Sequence, residues 1–337
     1  MQKKNHANLS AAVTFADHRQ IRRRFPSVVR AAAALAVAFV ALPPMLHARG
    51  NARFEALPLV RSRQNHLMVR ALINGKPAWL TIDSGAPVSA IALQRQKYFR
   101  LGPVSADSNL PTRVQINGTF NNVAIARELR LGGLTLVDEP VVTVDLGEPA
   151  RAARRAHERE IDGVIGADIL FPTQAVLDCQ RQLLILRTNP GLSGKMPGFD
   201  LRGLQAVPIQ VSDDFNLYVK GSINGRPATL MVDTGSFTTL LHRSFVRKMR
   251  IATRRTPFSS AAVNLRERDV RVARIRKLRV GSVDLINKEV GVVDLDGLIH
   301  DGSLEGSPVA GLLGAETLRR HHGIIDFGTR TLYLRRW

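Results

Sequence analysis

Apolar and polar positions alternate with a period of two through most of the chain. Val69, Ala71 and Ile73 share one face of a predicted strand, and Asn74-Gly75 after them is a strong hairpin signal. Leu80-Thr-Ile82 continues as a second apolar strand. Val123 to Leu131 alternates in the same way, after a second hairpin signal at Asn117-Gly118. Helical spacing is confined to short stretches: Leu93–Phe99, Ala167–Phe171, Arg243–Met249 and Ala315–Arg320. The pattern predicts an all-β chain with a few short helices.

The pattern also repeats. Leu67 to Gly85 returns 150 positions later as Leu217 to Gly235, with Asn-Gly, the second strand and an Asp-hydroxyl-Gly ending at matching places. Leu129–Leu136 matches Leu278–Leu285, and Ile161–Leu170 matches Val309–Leu318. Val176-Leu-Asp178 with Leu184–Arg187 matches Ile324-Ile-Asp326 with Leu332–Arg335. Two copies are too few for a solenoid, which needs three or more. They predict a bilobal pseudo-twofold duplication: an N-terminal lobe over 49–187, a linker over 188–206 rich in Pro and Gly at its start, and a C-terminal lobe over 207–337. One chain then does the work of a dimer, so a monomer is expected.

Composition adds constraints. The chain has 337 residues, is 45% hydrophobic and carries a net charge of +20, enough length for a sizeable core. Residues 1–48 hold seven Lys/Arg and Asp17; without them 41 basic and 27 acidic side chains remain, a net +14. That field attracts acidic ligands, but no recognition motif accompanies it and no nucleic-acid partner is expected. Arg22-Arg-Arg-Phe25 and Arg30 precede an apolar run from Ala31 to Leu42, then Pro43-Pro44 and Ala48. This order predicts that 1–48 is a signal peptide or an N-terminal membrane anchor, with membrane association through 31–42, and an extracytoplasmic (periplasmic or secreted) body. Cys179 is the single cysteine, which excludes an internal disulfide and a cysteine metal site.

The candidate chemistry lies in the repeated acids. Each apolar strand delivers an acid to its end, Asp83 or Asp233. Ser84 or Thr234 follows, and then Gly85 or Gly235, which permits a tight turn. If a twofold brings the turns together, the two carboxylates share one proton and hold a water between them. One takes the water's proton while the other polarises a carbonyl, so a peptide bond is hydrolysed without a covalent intermediate.

Here the chain resembles the pepsin and retropepsin family of aspartic proteases over nearly all of 58–337. Asp83-Ser-Gly-Ala86 and Asp233-Thr-Gly-Ser236 match its catalytic signature, and Val164-Ile-Gly166 and Leu312-Leu-Gly314 match its second, apolar-apolar-Gly signature. The resemblance implies an acid-protease-like β-barrel fold of two fused retropepsin-like halves, with Asp83 and Asp233 catalytic. It also implies that Ser84 and Thr234 lock the loops by mutual hydrogen bonds, and that Gly166 and Gly314 lie beneath them. Neither metal nor organic cofactor is required, and the implied partner is a peptide or protein. The sequence departs from the family at Ala86-Pro87, which leaves Ser236 as the one hydroxyl of its kind to support an acid. It departs again in the candidate flap, Arg113–Ala126, which has Phe120 but no Tyr; Ser260–Arg268 fills the same slot in the second half.

Other acids and histidines have plainer expectations. Asp178 and Asp326 read as turn residues, Asp162 and Asp168 as surface or cap residues, and His321-His322 as solvated residues after a helix without ligand-spaced partners. An actin-like ATPase would need long helices between strands, and a serine hydrolase its Gly-x-Ser-x-Gly motif; neither is present. The alternative to an endopeptidase is a catalytically inactive extracytoplasmic peptide-binding module on the same fold.

Overall fold

The computed structural model describes residues 54–104, 123–146, 160–189 and 200–336 except for 257–258, 263–264, 268–269, 286–288, 297–298, 300–302 and 305–306, together with a three-residue strand at 14–16. The predicted export segment 31–42, the Asn117-Gly118 hairpin and the Pro/Gly-rich part of the linker, 190–199, lie outside the described residues.

Two β-barrel halves share one sheet. In the first half Leu67–Ile73, Lys76–Ile82, Gly163–Ile165, Ala90–Ala92, Leu134–Val144 and Val123–Leu131 pair in that order, and Val123–Leu131 pairs back onto Leu67–Ile73. The six strands therefore close on themselves, which removes the exposed edges an open sheet would carry. The second half repeats the order with Leu217–Ile223, Arg226–Asp233, Ser307–Gly314, Leu240–His242 and Glu289–Val293. Its sixth strand is split: Arg271–Arg274 pairs with Glu289–Val293, and Leu278–Val280 pairs with Leu217–Ile223. One strand does both jobs in the first half and two pieces divide them in the second.

The Asn-Gly turns form as predicted. Asn74 (φ 49°) with Gly75 (φ 77°), and Asn224 (φ 51°) with Gly225 (φ 83°), both take the left-handed conformations of a type I′ hairpin. The asparagines also work across the barrel. Asn74 Nδ2 donates to Phe99 O at 2.8 Å while its Oδ1 accepts the Glu128 N–H at 2.9 Å. Asn224 Oδ1 accepts the N–H groups of Arg276 and Lys277.

The sheet that joins the halves runs Leu204–Pro208, Thr331–Arg335, Ile324–Asp326, Val176–Asp178, Leu183–Arg187, Phe54–Pro58. Its two central strands are the repeated Val176-Leu-Asp and Ile324-Ile-Asp, antiparallel with Leu177 opposite Ile325. A residue thus faces its own copy, which places the pseudo-twofold axis there. Leu204–Pro208 begins inside the stretch expected to be linker and pairs with the last strand. Leu177, Leu184, Ile325 and Leu332 are fully buried, and one continuous core runs through both halves. Asp178 and Asp326 close turns as expected: Asp178 Oδ1 accepts from the Gln180 and Arg181 N–H groups, Asp326 Oδ1 from that of Thr329.

Gly311 (φ 157°) combines crowding with a positive φ, whereas Gly75 (φ 77°) has the positive φ alone. A Cβ at Gly311 would lie 2.0 Å from Leu240 O, whereas at Gly75 nothing stands within 4 Å and only φ opposes a side chain. Gly311→Ala is expected to cost at least about 3 kcal/mol or to prevent folding, and Gly75→Ala about 1 kcal/mol, both read from urea unfolding midpoints. Equal costs would contradict this picture of the strand packing.

Candidate active site

Both acids are presented by the same construction. Lys76–Ile82 runs parallel to Gly163–Ile165, and the Asp83 N–H donates to Ile165 O at 3.0 Å. Arg226–Asp233 runs parallel to Ser307–Gly314, with Asp233 beside Gly314. The second-signature glycines are required by space. A Cβ on Gly166 would meet Ala86 O at 2.7 Å, and one on Gly314 would meet Thr238 O at 2.2 Å. Each helix that follows is tied to its acid loop from below: Ala167 N–H donates to Ala86 O, Ala315 N–H to Ser236 O.

The loops interlock across the axis. Ser84 Oγ donates to Val232 O (2.9 Å) and accepts the Thr234 N–H (3.1 Å). Thr234 Oγ1 donates to Ile82 O (2.8 Å) and accepts the Ser84 N–H (3.0 Å). Every hydroxyl both gives and receives one bond, and all of these groups are buried. At about 1 kcal/mol net for each bond, the four hold the halves in one register.

The carboxylates meet at Gly235. Asp83 is 2% exposed and Asp233 0%. Asp83 Oδ1 accepts the Gly85 N–H at 2.9 Å. Asp233 Oδ1 accepts two, from Gly235 at 2.8 Å and Ser236 at 3.0 Å. A Cβ on Gly235 would fall 2.3 Å from Asp83 Oδ2. The same glycine therefore donates to one acid and lets the other lie against its Cα, so each carboxylate touches one loop residue in common. The Ser236 hydroxyl does not reach Asp233: it donates to Thr238 O, and the support comes from the Ser236 N–H instead.

Several groups near the loops escaped sequence reasoning. Ser89 Oγ donates to Asp168 Oδ1 at 2.7 Å and accepts the Gly166 N–H, so Asp168 anchors the second signature of the first half. Its counterpart pairs Thr239 with Thr317 at 2.7 Å under Gly314. Asp162, expected at the surface or a cap, is buried; it accepts the Trp79 N–H at 2.9 Å and pairs with Arg95 at 2.6 Å. His321, expected in solvent, is also buried, and its Nδ1 donates to Arg335 O in the last strand. His242 lies within reach of Asp294 and Asp296, a grouping of metal-ligand type. Its Nδ1, however, accepts the Leu295 N–H, so Nε2 holds the proton and the ring has no lone pair left for an ion. Of the expected flap, residues 113–122 lie outside the described residues. In the second half Ser259–Ala262 pairs with Leu265–Glu267 in the matching slot.

His66 touches the site directly. It is buried, and its Nε2 donates to Gly235 O at 3.2 Å while Nδ1 has no partner among the described residues. A second proton would therefore sit unpaired in the interior, and burial pushes the imidazole down to about 4, against a small opposing effect of the Gly235 carbonyl. The only hint in the sequence is that Asn216 stands 150 positions on, a polar residue at the same place in the other copy.

A sequence family described as Aspartyl protease matches this chain over residues 69–169 and 219–317, one match in each half. A search of curated proteins finds no match. Among solved structures, the crystal structure of basic 7S globulin from soybean aligns over 84% of this chain and 95% of its own, at 11% identity and a TM-score of 0.43.

Thr234→Val leaves the Ser84 N–H and the Ile82 carbonyl unsatisfied and is expected to cost about 2–3 kcal/mol in denaturant unfolding, while Thr234→Ser keeps both bonds and costs under about 1. Similar losses in the two variants would remove the hydroxyl from the account. For His66 the folded value lies below the free one, so the unfolded chain takes up a proton that the folded chain refuses. Stability therefore rises with pH between about 4 and 6.5 and is lost as acid is added, by up to about 3 kcal/mol. His66→Asn, which installs the other copy's residue, is expected to flatten that slope in urea titrations across the window; an unchanged slope would assign it to other groups.

Proposed function

We propose that this chain, which belongs to the aspartyl protease family, hydrolyses peptide bonds with a water held between Asp83 and Asp233. The observation that carries the reading is the shared contact at Gly235, which brings both acids against one residue of a rigid, buried loop pair. Two carboxylates so placed cannot both ionise without strong repulsion, so one proton is divided between them. The ionised carboxylate takes a proton from the water as it attacks the scissile carbonyl. The protonated one donates to the carbonyl oxygen, giving a tetrahedral diol. Collapse of the diol returns a proton to the leaving nitrogen and restores the dyad. The N–H donors of Gly85, Gly235 and Ser236 keep the carboxylates oriented through the cycle. The interlocked hydroxyls keep the carboxylates from drifting apart.

Export is part of the same proposal and rests on residues 22–48 alone: a basic stretch, twelve apolar residues and a small-residue exit. An endopeptidase outside the cytoplasm, acting as one chain because its two halves replace a dimer, is the activity most consistent with that leader and this site.

Asp83→Asn and Asp233→Asn are each expected to reduce kcat/KM on a peptide library by at least about 1,000-fold while leaving the unfolding midpoint near that of the wild type. Activity surviving either substitution would defeat the shared-proton mechanism. A wild-type protein that binds peptides but cleaves none at any pH would instead support the binding-module reading.

A further inference from the structure

The two copies of one interlobe position have diverged in chemistry. On one side Phe215, from the turn before the repeated strand, packs ring against ring with Phe171, and Phe171 with Phe327, at centroid separations of 6.1 and 5.3 Å. By the repeat offsets, their counterparts are Asn65 (150 before Phe215), Arg319 (148 after Phe171) and Cys179 (148 before Phe327). The aromatic plug is thus absent at the second position, and a cavity of about 430 Å³ lies there. Arg61 and Arg63 of the first half and Arg319 and Arg320 of the second line it, with Phe237 and Glu316.

The charges in this pocket are poorly balanced. Arg61 is half-buried and bonds to neutral acceptors, Asn65 Oδ1 and the Cys179 carbonyl. Burial, and then the charge of Arg319, push its guanidinium below its usual value. Among the described residues no carboxylate pairs with Arg61 or Arg319. Glu316 is the single acid in the lining, and it pairs with Arg320. With Glu316 held by Arg320, the guanidiniums of Arg61 and Arg319 give the pocket a net positive charge, and Arg61, half-buried, is the one least screened by water.

The pocket is also joined to the catalytic loop. Phe237 follows Ser236 in the chain, and its carbonyl accepts the Glu316 N–H and the Asn65 Nδ2. His66, next to Asn65, holds the Gly235 carbonyl. Both halves contribute walls, so the pocket lies in the seam that also contains the dyad.

We propose that this arginine pocket receives an acidic side chain, Asp or Glu, of the bound peptide and gives the protein a preference for substrates carrying a carboxylate near the scissile bond. A guanidinium fork matches the two oxygens of a carboxylate, and the Phe237 ring supplies an apolar wall for the methylenes of its stem. The proposal rests on the peptidase reading, and its test separates the two.

Peptide pairs differing only by Glu or Gln at each position flanking the cleaved bond are given to the wild type and to an Arg319→Met/Arg320→Met variant, both of whose sites are exposed and outside the catalytic loops. At one position Glu is expected to raise kcat/KM about tenfold in the wild type, and the variant is expected to lose that ratio while cutting the Gln peptides as before. A ratio near one in the wild type, or one unchanged in the variant, overturns the proposal. If the wild type cuts neither peptide, the peptidase reading has failed, and fluorescence anisotropy with the same peptides judges the pocket alone. Preference for Glu that depends on Arg319 and Arg320 then upholds it, and equal binding overturns it. Saturable binding of inorganic phosphate with no Glu preference reassigns the pocket to a free anion and also overturns it.

Discussion

The reciprocal hydrogen bonds of Ser84 and Thr234 are the constraint on which the rest of the site depends. Each hydroxyl reaches across the axis to the carbonyl of the residue two positions before it in the other copy, Val232 or Ile82. Those carbonyls stand immediately before the acids, at the ends of the strands that deliver them. A shift of either strand by one residue would break all four bonds and turn its acid to the other face of the sheet. Register, loop shape and carboxylate position are therefore one requirement.

Beneath the loops, the same demand is met twice with different side chains. Ser89 and Asp168 hold Gly166 in the first half, and Thr239 and Thr317 hold Gly314 in the second. The backbone contacts from Ala167 to Ala86 and from Ala315 to Ser236 are equivalent in both. Main-chain geometry has been kept where it positions the acids, while the side chains that brace it have changed. The split strand at Arg271–Arg274 and Leu278–Val280, and the replacement of the Phe215, Phe171 and Phe327 plug by Asn65, Arg319 and Cys179, show the same freedom further out.

Legibility in the sequence followed locality. Asp83 and Asp233 stood out because acid, hydroxyl and Gly are contiguous and occur twice, and the all-β character followed from alternation and the Asn-Gly turns, whereas the order of strands in each barrel did not. The shared sheet was visible only as the repeated Val176-Leu-Asp and Ile324-Ile-Asp; nothing local says that they pair with each other. Asp162 and His321 were misplaced at the surface because their partners, Trp79 with Arg95 and the Arg335 carbonyl, are distant or belong to the backbone. His66 was overlooked for the same reason, since a lone histidine before a strand carries no signature. The arginines of the seam pocket are scattered over two halves and converge only in three dimensions.

The pairing of Leu177 with Ile325 has a consequence for how the molecule is made. The strand at the centre of the shared sheet finds its neighbour 148 residues further along the chain. Contacts so distant in sequence form slowly, because a long loop must close before any of them is rewarded. While the second half is still being synthesised, the first exposes one flank of its Val176–Asp178 strand and has only half of its dyad. A pair of acids assembled from both halves of a long repeat does not come together until nearly all of the second half has been made. Topology alone thus delays assembly of the site until the second half has folded against the first.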